Sequence, residues 1–152
     1  MKERHKAVPA VYLFLENNGK ILFLLRQNTG YCDGDYSVPS GHVEAGELLT
    51  DAVIRETEEE TGIRVKREDL RLVHTMYRGK HDETGERADF FFVADRWEGE
   101  PENREPLKCA EVRWFLKDAL PSNIIHFEKL ALESIRRGIP FSEYRAGFFS
   151  PA

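Results

Sequence analysis

Between Leu48 and Gly62 lies a helix-length segment, LLTDAVIRETEEETG, whose acids sit on the wrong side for an ordinary surface helix. Stepping the residues by about 100° gathers Leu49, Ala52 and Val53 on one side. Glu56, Glu59 and Glu60 fall on an arc of about 100° that overlaps this apolar side, and only Glu58 points squarely away. A surface helix normally reverses that arrangement. Two readings follow: a solvated acidic helix, or a helix whose buried edge meets something that neutralises carboxylates. Three inward acids would repel one another and lose hydration, and one flanking arginine, Arg55, cannot offset three. A divalent cation can. Oxygen donors with no clustered His or Cys favour a hard ion, Mg²⁺ or Mn²⁺, over Zn²⁺. The first constraint is therefore a fold that brings this helix edge to a metal-holding cleft.

The preceding VPSGHVEAGE supports the second reading, because Gly41 and Gly46 suit a sharp turn or a close approach to a ligand. It also adds Glu44 and Glu47, which serve either the metal site or the positive end of the helix. Gly62 supplies the residue that commonly stops a helix. Elsewhere Val11–Leu15 and Ile21–Arg26 read as strands of a hairpin around ENNGK. LRLVHTMY, ADFFFVADRW and EVRWFL read as further strands, and Asn123–Arg137 as a second helix. No internal repeat or interdomain linker interrupts the pattern, which predicts one α/β (α+β) domain over residues 1–152.

The 152 residues, 41% apolar and 32% charged, suit a globular domain. A net charge of −5 argues against nucleic-acid polymers and anionic membranes as partners. It leaves room for a small anionic ligand bound through a metal ion. AVPAVYLFL reads as a strand rather than a signal peptide, and nothing is long enough to span a membrane. Cys32 and Cys109 fit no metal spacing and read as reduced thiols. Together these predict a cytoplasmic protein. His42, His74, His81 and His126 have no ligand spacing and read as structural or exposed. Phe90, Phe91, Phe92 and Trp114 read as core. Phe148 and Phe149 are open to three roles: covering the sheet, capping a pocket or meeting a partner.

Gly41, Glu47, Arg55, Glu56, Glu59, Glu60, Gly62 and Ile63 together resemble the Nudix box, G-x5-E-x7-R-E-U-x-E-E-x-G-U, at the right spacing over residues 41–63. Thr57 stands where the pattern asks for an aliphatic residue. YSVPSG is similar to the family's W-x-L-P-G-G, with Tyr36 for Trp and Ser40 for Gly. The resemblance implies an α/β/α sandwich around a mixed sheet. It also implies Mg²⁺-dependent (or Mn²⁺-dependent) hydrolysis of a nucleoside diphosphate linked to a further group. By the same resemblance Glu56, Glu59 and Glu60 ligate metal with the carbonyl of Gly41 or Ser40. Arg55 orients the glutamates, and Glu47 supports the metals or the loop. The general base is Glu59 or a later-loop glutamate.

Outside the box, the chain resembles the MutT-type nucleoside triphosphate pyrophosphohydrolases at Arg26, near the nucleotide, and at Glu105, the later-loop acid near the metals. At Asn123 it resembles their reader of an oxidised purine, although Asn123 also suits a helix N-cap. Tyr31 replaces their His. The proline that ADP-ribose hydrolases carry past the box is missing around MYRGK. Tyr77 falls short of the tyrosine of diadenosine polyphosphate hydrolases, and no coenzyme A signature precedes the box. The resemblance thus implies a nucleoside triphosphate substrate giving monophosphate and pyrophosphate. Another phosphoanhydride (a nucleotide sugar, ADP-ribose, a dinucleoside polyphosphate) is the alternative, and a non-catalytic nucleotide-binding domain is a third. Many members of the family pair as homodimers.

Overall fold

Asn18 and Gly19, both left-handed (φ 52° and 74°), turn β1 (Val8–Asn17) into β2 (Lys20–Arg26), the backbone shape whose twist suits a two-residue hairpin. The computed structural model describes residues 1–80 and 85–151, so His81 lies outside the described residues. The chain continues through β3 (Tyr36–Ser37), β4 (Ser40–His42), α1 (Leu49–Thr61) and β5 (Arg71–Arg78). It ends with β6 (Arg87–Ala94), β7 (Cys109–Leu116), α2 (His126–Arg136), β8 (Phe141–Arg145) and β9 (Phe148–Pro151). The strands expected from the sequence are all present. The very short β3 and β4 and the C-terminal pair β8–β9 were not foreseen.

The β1–β2 hairpin is bonded only at Glu16–Ile21 and Asn17–Lys20, and then the strands part. β1 goes on to pair with β4 (antiparallel) and β6 (parallel), which leads on through β5 and β8 to β9. β2 instead takes β3 and β7 as antiparallel neighbours. The mixed sheet is therefore forked, and residues 37–40 cross the fork from β3 to β4.

Alternation along β1 builds a core on each face. Val11, Leu13 and Leu15 join Ala52 and Val53 of α1, with Ile63 and Phe92. Ala10, Tyr12 and Phe14 join Phe127, Ala131 and Leu132 of α2, with Phe23 and Phe91. Each fully buried Leu or Phe contributes roughly 1.5–3 kcal/mol. The result is the expected helix–sheet–helix sandwich. Phe91 and Phe92 are buried, as expected of core residues, and Trp114 stacks on Trp97 with ring centroids 6.0 Å apart.

α1 ends as expected: Gly62 is left-handed (φ 77°) and its N–H reaches Glu58 O. Thr57 is fully buried, and its hydroxyl donates to Val53 O at 2.7 Å, so a polar side chain stands in an aliphatic position with its proton satisfied by the helix itself. α2 starts at His126, three residues later than expected, and Ile125 holds the cap position without a side-chain bond. Asn123 is therefore no N-cap. Its Nδ2 donates instead to Gly34 O at 2.9 Å, because the chain before α2 runs beside β3 as an extended segment.

The C-terminal aromatics belong to a strand pair that extends the sheet. Phe149 packs on the α2-side core while Phe148 is 48% exposed. His74 is buried between Ile139 O and Ser142 Oγ, a structural role. Both cysteines are free thiols. Among the described residues no helix is long and apolar enough to cross a membrane.

Candidate active site

The α1 acids do face inward, but not equally. The Glu56 side chain is 18% exposed, and Glu60 reaches under the sheet to accept the Ser40 N–H at 3.2 Å. Glu59 is 55% exposed and lies at the outer rim, a correction to the even arc of the helical wheel. One helical step carries it sideways, beyond the edge that β4 covers. Glu58 is half-buried rather than turned fully away.

Arg55 lies among these acids as a cationic hub. Its Nε and Nη2 donate to the two Glu47 oxygens at 2.8 and 3.0 Å, a two-point pairing that fixes the guanidinium plane. Nη1 donates to Glu56 Oε1 at 2.8 Å and Glu59 Oε2 at 3.4 Å, and Nη2 reaches His42 O. Glu44 stands 3.9 Å off, on the solvent side. The bonds from Arg55 hold the Glu47 carboxyl down at about 2, helped by the Glu44 N–H. They also raise the Arg55 pKa, so this pair stays ionised throughout the working range.

Burial pushes Glu56 up despite Arg55, and the charges of Glu59 and Glu105 add to the rise. Burial pushes Glu60 well up despite its Ser40 bond, with Glu56 and Glu105 again raising it. Glu56, Glu60 and Glu105 thus share one electrostatic neighbourhood although they come from a helix and a distant loop. Gly41 leaves room for them: a Cβ there would lie 2.1 Å from Glu56 Cδ.

Two cavities of about 320 Å³ each open where the sheet forks. Arg26, Ser40, Glu60, Glu105 and Lys108 line the first, with Asn28 and Thr29. Arg26 and Ser40 also reach the second, whose walls add Gly41, Tyr12, Tyr31, Arg78, Phe127 and Glu128. Arg26 stands between the two, its Nε donating to Tyr31 O at 2.8 Å and its Nη2 to Thr29 Oγ1 at 3.0 Å. Five of the residues singled out by sequence are therefore assembled around the cavities: Arg26, Ser40, Gly41, Glu60 and Glu105. Glu47, Arg55, Glu56 and Glu59 form the adjoining ionic cluster. Asn123 is tied to the loop at Gly34 and lines neither cavity.

Two features went unnoticed in the sequence. Glu128 is 1% exposed and accepts from Ser37 Oγ at 2.8 Å and Val38 N at 2.9 Å. It shares a helical face with Ala131, Leu132 and Ile135, so the wheel used on α1 would have found it. Arg78 pairs with the fully buried Asp89 at 2.5 Å and lies 3.7 Å over the Phe127 ring; no local pattern announces a pair formed across two strands.

Among the described residues no three of His, Cys, Asp and Glu stand close enough to cage a cation unaided. The donor set nonetheless fits a hard divalent ion. Two desolvated carboxylates with raised pKa, Glu56 and Glu60, face a glycine cradle that any side chain would fill. A Mg²⁺-like ion takes few carboxylates and completes its shell with water and substrate phosphate.

Comparison with known proteins identifies the family. The NUDIX domain family model matches residues 3–135. The ADP-ribose pyrophosphatase of Methanocaldococcus jannaschii is 33% identical over 132 residues, 87% of this chain and 75% of that protein. The NAD-capped RNA hydrolase NudC of Vibrio parahaemolyticus is 43% identical over 58 residues, 38% of this chain and only 22% of NudC. The crystal structure of a MutT NUDIX hydrolase from Burkholderia pseudomallei superimposes with a TM-score of 0.75 at 27% identity, covering 85% of this chain and 98% of that one. A family match across most of its length, and a 33% identical relative across 87% of it, place the chain in the Nudix family of hydrolases.

Proposed function

We propose that the chain hydrolyses a phosphoanhydride bond of a small nucleotide, with Mg²⁺ as the working ion and Mn²⁺ as a substitute. The observation that carries this is the pair of half-buried, charge-disfavouring carboxylates, Glu56 and Glu60, set against Gly41 at the mouth of the cleft. Bound there, a divalent ion supplies Lewis acidity toward phosphate oxygens and an acidified water. Glu56 and Glu60 hold it, with the carbonyl of Gly41 or Ser40. Arg55 keeps Glu56 and Glu59 in place, and Glu47 keeps Arg55 in place. Glu59 at the rim is the first choice of proton acceptor, with Glu105 across the cavity as the other. Arg26 and Lys108 offer cations to phosphate oxygens, and the aromatic walls of the second cavity, Tyr12, Tyr31 and Phe127, suit a nucleoside. Asn123 acts on the nucleoside only by way of the loop it ties.

The leading substrate is a nucleoside triphosphate, an oxidised purine form included, giving monophosphate and pyrophosphate. Support comes from Arg26 and Glu105 meeting on one cavity, as the MutT-type resemblance requires. A second reading, ADP-ribose or a similar diphosphate, is favoured by the Methanocaldococcus relative. The net charge of −5 favours small nucleotides over RNA or DNA, in a cytoplasmic protein that acts as monomer or homodimer.

The test is product analysis by chromatography with Mg²⁺ and a panel of normal and oxidised nucleoside triphosphates, ADP-ribose, nucleotide sugars, dinucleoside polyphosphates and an NAD-capped RNA. The Glu59→Gln and Glu60→Gln variants are run alongside. Monophosphate and pyrophosphate, lost in the variants, support the leading reading. Turnover of ADP-ribose alone moves the assignment to the second. Nucleotide binding without any turnover would leave only a binding domain.

A further inference from the structure

We infer that Glu128 of α2 is a positioning residue for the metal-side acids, because it fixes the segment 37–41 that presents Ser40 and Gly41 to Glu60 and Glu56. This rests on the proposed reading of Glu56 and Glu60 as cation ligands.

The reason for a buried carboxylate at this place lies in the backbone. The chain leading into α2 runs parallel to β3: Tyr36 N–H donates to Asn123 O, and Ile125 N–H donates back to Tyr36 O. The next rung of a parallel ladder would carry the Val38 N–H to Ile125 O. That carbonyl is instead turned into α2, where it accepts the Lys129 N–H as the first bond of the helix. The extended segment turns helical just where β3 still needs a partner. A buried N–H left without an acceptor loses its hydration with nothing in return. Glu128 stands in for the missing strand: Oε1 accepts the Val38 N–H and Oε2 accepts the Ser37 hydroxyl. Both oxygens are used, and both bonds go to the fork-crossing segment.

From there the constraint has only a short distance to travel. Pro39 follows, its φ fixed by its ring, and its carbonyl accepts the Leu13 N–H. Ser40 then donates its N–H to Glu60, while Ser40 and Gly41 pair with Tyr12 and Val11 of β1. Gly41 meets the Glu56 carboxylate. Glu128 and Glu60, from helices on opposite faces of the sheet, hold the same few residues.

Stability alone does not explain the choice of residue. A buried charge is commonly replaced by an apolar side chain at no loss of stability, but no apolar side chain could accept the Val38 N–H. Glutamine could. Its Oε1 would accept that N–H, and its amide would donate to Ser37 Oγ, whose own proton has Val38 O at 3.0 Å. The role assigned here needs the geometry and not the charge.

The experiment compares the full chain with Glu128→Ala, Glu128→Gln and Ser37→Ala. Mn²⁺ affinity is measured by titration without substrate, the Ser40 amide is followed by NMR and hydrogen exchange, and Mg²⁺-dependent turnover is recorded. Glu128→Ala is expected to weaken Mn²⁺ binding about tenfold or more, to shift and deprotect the Ser40 amide, and to raise the Mg²⁺ needed for half-maximal turnover. Glu128→Gln is expected to restore all three. A lower melting temperature in Glu128→Ala with wild-type Mn²⁺ affinity and an unchanged Ser40 amide would overturn the inference. So would a Glu128→Gln protein as impaired as Glu128→Ala. If Glu128→Ala does not fold, Ser37→Ala decides, since a shifted Ser40 amide with weaker Mn²⁺ binding supports the role and no change in either removes it. A wild-type protein that binds no Mn²⁺ and hydrolyses nothing sinks the ligand reading of Glu56 and Glu60. The Ser40 amide of the variants still reports separately whether Glu128 holds the segment.

Discussion

Glu60 on α1 and Glu128 on α2 are both carboxylates turned to the sheet side of an amphipathic helix, Glu128 fully buried and Glu60 half-buried, and both bond to residues 37–40. They differ in what completes them. Glu128 has a protein donor on each oxygen, whereas Glu60 has only the Ser40 N–H among the described residues and faces the charges of Glu56 and Glu105. A buried charge with a full set of donors is scaffold; one with a deficit beside like charges is a place for a ligand. The α2 face is organised to be complete, and the α1 edge to be completed.

The largest effect should come from breaking the complete side. Arg78→Met leaves Asp89 buried beside Tyr12 without its guanidinium, and should cost about 3–5 kcal/mol in urea unfolding. A loss under 1 kcal/mol would mean that this face is less dependent on its polar groups than argued.

On the other side, Glu60→Gln should lower kcat by on the order of 10²–10³-fold, while the metal-free melting temperature stays level or rises. If the variant instead melts earlier, Glu60 is scaffold too and the contrast fails.

The third effect is one of pH. The Glu128 carboxyl is pushed up to about 7 by burial, against the bonds from Val38 and Ser37. A raised folded pKa contributes stability below the ordinary carboxylate range, and that contribution is lost as pH rises through the folded value. The metal-free protein should therefore lose roughly 3 kcal/mol between pH 4 and 8 through this group. Glu128→Gln should flatten that part of the profile, which denaturant melts across the pH range will show. Glu47 runs the other way: its contribution is present above the ordinary carboxylate range and is lost progressively as pH falls from there through about 2.

A smaller effect is expected at Gly41. In Gly41→Ala the new methyl collides with the Glu56 carboxylate, the far end of a flexible side chain that can swing aside at the expense of its Arg55 bond. Stability should barely move while Mn²⁺ affinity falls about tenfold, measured by titration. Smallest of all, Thr57→Val removes a hydroxyl whose loss leaves no group unsatisfied, because Val53 O keeps its helical donor. The change in melting should correspond to less than about 1 kcal/mol.

What the sequence disclosed follows the same divide. The α1 acids could be read because helical period and composition conflict there, and such a conflict is local. The hairpin and the stop at Gly62 could be read because each depends on one left-handed turn. Asn123 misled because a polar residue before a helix looks like a cap, and nothing nearby in sequence says that Ile124 and Ile125 intervene. Pairing β3 with the chain before α2 joins Tyr36 to Ile124, far beyond the reach of any periodicity. β8 and β9 were missed because FSEYRAGFFSPA is short and mixed in pattern; only the edge of β5 makes it a pair of strands.

The fork of the sheet has a consequence of its own. Bonded only near the turn, β1 and β2 are like the two covers of a book joined at the spine, with the cavities in the gutter. A change at the spine, around Asn18 and Gly19, tilts one cover against the other and alters the gap for every guest alike. A change at the free margins, in the loop carrying Tyr31 or the one carrying Glu105, re-cuts a single page. Selectivity can therefore be rewritten at the margins while the binding that holds the acids together is left intact.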